Sequence, residues 1–113
     1  MLVTGFERFG AHEVNSSEHV VRALASRPDL RTAVLPVSFR RAAPRLQQLV
    51  DAHRPRALLL LGLHGGDEIR LERVAHNRDA AEGADEDGEA RNGQAISASG
   101  PAVYPSTLPL DAL

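Results

Sequence analysis

The stretch Ala57-Leu-Leu-Leu-Leu-Gly62 restricts the architecture more than any other part of this chain. Its apolar residues do not alternate with polar ones, so a strand made from them has no face left for water. That is the pattern of a central parallel strand buried on both sides. Leucine is not β-branched, so the assignment rests on the length of the run and on its flanks, with Arg54-Pro55 stopping a helix before it and Gly62 following it.

The preceding residues supply what such a strand needs as neighbours. Met1 to Thr4 run apolar into Gly5, as a short buried strand ending in a glycine-hinged loop. Asn15-Ser16-Ser17-Glu18 reads as a helix start, with Asn or Ser as cap and Glu18 placed to complete a capping box. Val20, Val21 and Leu24 give that helix its apolar stripe, which ends near Ser26-Arg27-Pro28. Arg31 to Val37 form a second strand, with Pro36 at its edge or end. Ser38 is placed to cap a helix over Phe39 to His53, whose apolar face is Ala42, Ala43, Leu46, Leu49 and Val50. Pro44 fits only if it lies in the first turn. Strand, helix, strand, helix, strand predicts an α/β fold with right-handed crossovers, in one small domain over residues 1–113.

The remainder is less regular. Gly62-Leu-His-Gly-Gly66 forms a second glycine-rich loop, at the same edge of a parallel sheet as the opening loop. Ile69 to Ala75 alternates enough for a weaker strand. Between Asn77 and Asn92, Glu82, Asp85, Glu86, Asp87 and Glu89 lie among Gly and Ala without periodicity, which predicts a long solvated loop. Gly100 to Tyr104 suggests a turn. Ser106-Thr107 resemble a cap before Leu108-Pro109, and only four residues follow, about one helical turn. A chain that stops where an element begins is expected to be the amino-terminal portion of something longer.

Composition removes several classes of function. Thirteen basic residues, all Arg, stand against fifteen acidic ones, so the formal net charge of −2 gives no electrostatic case for nucleic acid or a membrane surface. No Cys is present, which excludes disulfides, thiolate metal sites and a cysteine nucleophile within these 113 residues. The longest apolar run is too short to span a bilayer, and no signal-peptide pattern opens the chain. The default expectation is a soluble cytoplasmic protein.

A few residues could carry chemistry. Phe6 and Phe9, two of three phenylalanines, occupy one polar loop; they either cap the core or wall a small apolar pocket at a strand end. Glu72 beside Arg73 is either an Arg-paired carboxylate or the orienting member of a nucleophile–base–orienter triad. His64, within Gly62–Gly66, is the best-placed general base among five histidines, none of which show metal-ligand spacing. No G-x-S-x-G elbow and no phosphate-binding G-K-[ST] occur.

Together these stretches resemble one family. Leu2-Val-Thr-Gly-Phe-Glu-Arg-Phe-Gly10 with Asn15-Ser-Ser17 resembles the VTGFxPFG and NPS motifs that open pyroglutamyl peptidase I. Gly62-Leu-His-Gly-Gly66 resembles its GQAGG, and Glu72-Arg-Val-Ala-His-Asn77 its ERVAIN. Asp85-Glu-Asp-Gly88 stands where that family has a PDNxG loop. Gly100-Pro-Ala-Val-Tyr104 and Thr107-Leu-Pro109 resemble its GPAAY and the LP before the next helix. The matches keep one order along the whole chain.

The resemblance implies a three-layer α/β/α fold with a mostly parallel central sheet, incomplete here. It also implies a cytosolic cysteine exopeptidase, often oligomeric, that acts on peptides beginning with pyroglutamate and uses no cofactor or metal. In that family a Cys, a His and a Glu form the triad, and Glu72 matches the Glu. Phe6 and Phe9 match the two rings lining the lactam pocket, with Asn15, Gly65 and Gly66 as further substrate-binding positions. The family's Cys and His belong to sequence that would follow Leu113.

This chain also departs from the family. Arg8 and Ser16 replace prolines, Leu63 replaces the Gln of GQAGG, and Asp67 replaces the Arg usual after it. Asp79-Ala80-Ala81 lacks the Arg of the family's DAR, and the spacing to Glu72 is one residue shorter. These departures are signs of divergence or a shifted substrate. They leave open an alternative, a non-catalytic relic or a module that binds a small lactam or acyl ligand.

Overall fold

The computed structural model describes residues 1–112, which form two compact units: residues 1–64 with 85–89, and residues 65–84 with 90–112. Leu113, the end of the predicted terminal helix, lies outside the described residues.

The first unit is built on three parallel strands, β1 (Leu2–Phe6), β2 (Arg31–Leu35) and β3 (Leu58–Leu60), in the order β2-β1-β3. Helix α1 (Ser16–Leu24) follows β1, and α2 (Ala42–His53) follows β2. Successive strand residues point to opposite faces. Leu2 and Phe6 join Leu35, Leu46, Leu49 and Val50 in the core cluster, so α2 covers that face. The Gly5 face meets α1 instead, where a Cβ on Gly5 would stand 2.5 Å from the Ser17 carbonyl oxygen and 3.0 Å from a Val21 methyl. Glycine is therefore required inside β1 by close helix packing, not as a hinge after it. Helices on both faces of a parallel sheet make the α/β, three-layer arrangement expected from the strand–helix order.

Several expectations change in detail. The central strand is β1, while the leucine run forms an edge strand that pairs only with β1 among the described residues, with Leu60 55% exposed. Non-alternation marks a strand without a polar face, but it does not fix the strand's rank in the sheet. Asn15 caps α1 by accepting from Ser17 N–H, yet Glu18 forms no capping box and bonds Arg22 one turn on, at 2.7 Å. The regular part of α2 begins at Ala42, three residues later than predicted, and Ser38 caps the turn before it, its Oγ accepting from Arg41 N–H at 3.0 Å and its carbonyl from Ala42 N–H at 3.1 Å. Pro44 does fall in its first turn. Arg54 ends the helix in the left-handed region, at φ 43°, with its N–H on the Val50 carbonyl.

The second unit consists of two small antiparallel pairs, β4 (Val74–His76) with β7 (Val103–Pro105) and β5 (Asp79–Ala80) with β6 (Asn92–Gln94). The strand predicted over Ile69–Ala75 shrinks to β4. Its partner runs into Pro105, which has no N–H to donate, and then turns into a short 3-10 helix at Leu110–Ala112. Val103 and Tyr104, read from sequence as a turn, are strand residues. The predicted loop from Asn77 to Asn92 contains β5 and the start of β6. No helix among the described residues is long and apolar enough to cross a membrane.

Candidate functional site

The best-defined feature at the carboxyl edge of the three strands is the segment from Glu7 to Asn15 that links β1 to α1. Its geometry is set from both ends. Asn15 is 1% exposed; its Oδ1 accepts from Ser17 N–H and Oγ, and its amide donates to the Glu7 carbonyl at 3.0 Å. Ser17 Oγ in turn accepts from Phe6 N–H at 3.0 Å, and Glu7 N–H donates to the Leu35 carbonyl. Buried polar groups seldom remain unpaired, and here each one fixes the loop's entry or exit. Asn15, expected among the substrate-binding residues, has both ends of its side-chain amide engaged in holding the loop.

Phe6 and Phe9 differ in their surroundings. Phe6 is half-buried and packs against the Leu2–Leu35–Leu49 cluster, so part of its ring is core. Phe9 is also half-buried but lies beyond the core, its ring tilted against His12 at 5.4 Å between centroids. Gly10 follows at φ 59°, where a side chain would be strained, and the turn closes with His12 N–H on the Phe9 carbonyl. Arg8, Phe9, Gly10, Ala11, His12, Glu13 and Glu86 line an open cavity of about 350 Å³. That volume is at the low end of small-molecule sites.

Glu86 belongs to the stretch read from sequence as a solvated loop. Asp85 to Glu89 are indeed a turn, with residues 86–88 exposed, but they are anchored as part of the first unit. Asp85 accepts from Phe39 N–H at 2.7 Å and from the N–H groups of Asp87 and Glu89 at 2.9 Å. Asp87 accepts from Ser38 Oγ and takes both arms of the Arg41 guanidinium at 2.9 and 3.1 Å. The Arg41 bonds, then that from Ser38, pull the Asp87 carboxyl from its ordinary 3.8 down to about 2. Asp85 is lowered chiefly by the Phe39 N–H. Sequence reasoning missed these anchors because carboxylates without periodicity look like any solvated loop.

The remaining expected site residues lie in the second unit. Gly65 and Gly66 are exposed in the loop after β3, and Glu72 is exposed just before β4. Arg73 turns to Asp111 at 2.5 Å, in place of the neighbouring Glu72. Near β4, Asn77 is buried, exchanging two hydrogen bonds of 2.8 Å with the Ser97 backbone. Among the described residues no group of three or more His, Asp or Glu side chains could hold a metal ion.

Comparison with known proteins agrees with the resemblance carried by the motifs. A family model described as pyroglutamyl peptidase matches residues 1–113. A pyrrolidone-carboxylate peptidase 1 of Ralstonia nicotianae is 40% identical over 118 residues, covering all of this chain and 55% of the relative. A pyrrolidone-carboxylate peptidase of Streptococcus pyogenes is 34% identical over all of this chain and 54% of its own length. Among solved structures, the pyrrolidone carboxyl peptidase of Fervidobacterium islandicum AW-1 superposes on 98% of this chain and 56% of that one, with TM-score 0.93 and 35% identity. The chain thus spans about half the length of the curated relatives it matches.

Proposed function

The chain belongs to the pyroglutamyl peptidase family, and from that premise we propose that it provides the substrate-binding half of a thiol exopeptidase removing amino-terminal pyroglutamate from peptides. The observation that carries this reading is the Phe9 turn: an aromatic ring beside a small open cavity, on a loop fixed at both ends by buried hydrogen bonds. A pyroglutamyl group is a flat, uncharged five-membered lactam, so a fixed aromatic wall recognises its faces while backbone groups pair with its amide edge. Phe9 supplies the wall of this cavity, and Phe6, partly core, is the second ring that the family motif assigns to the lactam. Asn15 acts through the loop, and Gly65 and Gly66 leave room for close approach of backbone to substrate.

Glu72 is the proposed orienter of a histidine that activates a thiolate. The thiolate attacks the pyroglutamyl carbonyl, the peptide amine leaves with a proton from the histidine, and water releases pyroglutamate. These 113 residues contain no Cys, so the covalent steps require residues this sequence does not supply. The same reading includes a cytoplasmic setting and assembly into a homo-oligomer.

A chromogenic pyroglutamyl amide tests the proposal. The 113 residues alone release no chromophore, while the same residues joined to the carboxyl-terminal half of the Ralstonia relative do. A joined protein that folds but leaves the amide intact sinks the peptidase reading. Leu63 and Asp67, standing where the family has Gln and Arg, favour one competing reading, a small-ligand module on the same fold. In that case the 113 residues bind pyroglutamate or 2-pyrrolidone in calorimetry, while the joined protein shows no turnover.

A further inference from the structure

The three carboxylates of Asp85-Glu86-Asp87 divide into two roles. Asp85 and Asp87 face the residues leading into α2, through Phe39 N–H, Ser38 Oγ and Arg41. The Glu86 backbone adds a bond to the Val37 carbonyl at 3.0 Å. The Glu86 side chain reaches elsewhere: its Oε1 accepts from Gly10 N–H at 2.9 Å, across 76 residues of sequence. Gly10 is the residue after Phe9, and its positive φ shapes the turn that carries the ring.

We propose that Glu86 is a positioning residue for the Phe9 wall, clamping its turn from outside, with Asp85 and Asp87 fastening the clamp to the start of α2. This rests on the reading of Phe9 as a pocket wall. Residues 10–13 of the turn are exposed, and an exposed loop without external anchors opens at little cost. A carboxylate on a segment tethered at four other points adds the external anchor. It also accounts for an acidic stretch without periodicity that is nonetheless ordered against the first unit.

Two variants and two readouts test the clamp. In the 113-residue chain, Glu86→Ala is expected to speed hydrogen exchange at the Gly10 amide about five- to tenfold. It should also shift the Phe9 and His12 ring resonances while leaving Thr4 and Val21 amides unchanged. Glu86→Gln keeps an oxygen acceptor and should restore the wild-type pattern. In the joined protein described above, Glu86→Ala should raise KM several-fold with kcat retained, and Glu86→Gln should restore KM.

Unchanged Gly10 exchange and unchanged ring resonances in Glu86→Ala overturn the proposal. So does a Glu86→Gln that holds Gly10 in place yet raises KM as much as Ala, since the charge would then act on substrate directly. If the wild-type joined protein is inactive, the peptidase reading fails, and the Gly10 and ring signals still decide whether the clamp exists.

Discussion

Among the described residues, every buried hydrophobic side chain (Leu2, Val3, Val21, Leu35, Leu49) belongs to the first unit, whereas the one buried residue of the second is Asn77. The first unit stands on apolar burial between helices and a parallel sheet. The second is tied by polar bonds, with Asn77 bridging Ser97, Arg91 pairing with Asp79 at 2.7 Å and Arg78 reaching the Gly93 carbonyl. Its large apolar residues lie open, Ile69 at 96% exposure and Ile96 at 64%. The difference teaches that apolar composition does not make a core. Burial needs two facing layers, which two- and three-residue strand pairs do not supply.

The sharpest way to break this contrast is in the apolar core. Leu2→Ala empties the middle of the cluster and should cost about 3 kcal/mol in urea unfolding. A loss below about 1 kcal/mol would mean the parallel sheet is not what holds the first unit. Gly5→Ala should cost about 2 kcal/mol, because its Cβ forces α1 away from β1. A crystal or solution structure of that variant with α1 in place would contradict the close-packing argument.

In the second unit the effects should be polar and local. Asn77→Ala leaves the Ser97 N–H without its acceptor and the Ser97 carbonyl with the Gly100 N–H alone, at about 1 kcal/mol. Faster amide exchange at Ser97, with the β1 amides unaffected, would confirm that the two units are held by different means. Acid provides a further separation. A carboxyl lowered in the folded state contributes stability above its unfolded pKa, and that contribution is lost as pH falls through the folded value. Asp87, lowered from 3.8 to about 2, should therefore hold its loop at pH 4 and release it progressively toward pH 2. Asp85 shifts in the same direction. Amide exchange at Phe39 and Gly10 follows the release, and an Asp87→Asn chain should show no such step from position 87. The smallest effect is expected at Ile69→Ser, within about 0.5 kcal/mol of wild type. A large loss there would reveal that Ile69 is covered after all.

The local order of strands and helices was legible from periodicity and punctuation, since period two, period 3.6 and the Asn15 cap are properties of neighbouring residues. Phe6 and Phe9 stand out by type and spacing within one polar loop, whereas Glu72 is singled out only by the motif it shares with the family. Contacts between distant segments were not legible. Ser38 and Phe39, in the turn before α2, bond Asp87 and Asp85, more than forty residues on. The true role of Gly5 appears only when Ser17 lies against it, and the leucine run's place at an edge depends on which strand occupies the centre.

By itself, then, the sequence determined the α/β class, the parallel core strands and the aromatic turn, because local propensity and apolar spacing suffice for those. Only the tertiary structure decided that Asn15 braces the turn and that Glu86 reaches Gly10. A hydrogen bond across 76 residues depends on the path of the chain between them, and no pattern of neighbours encodes that path.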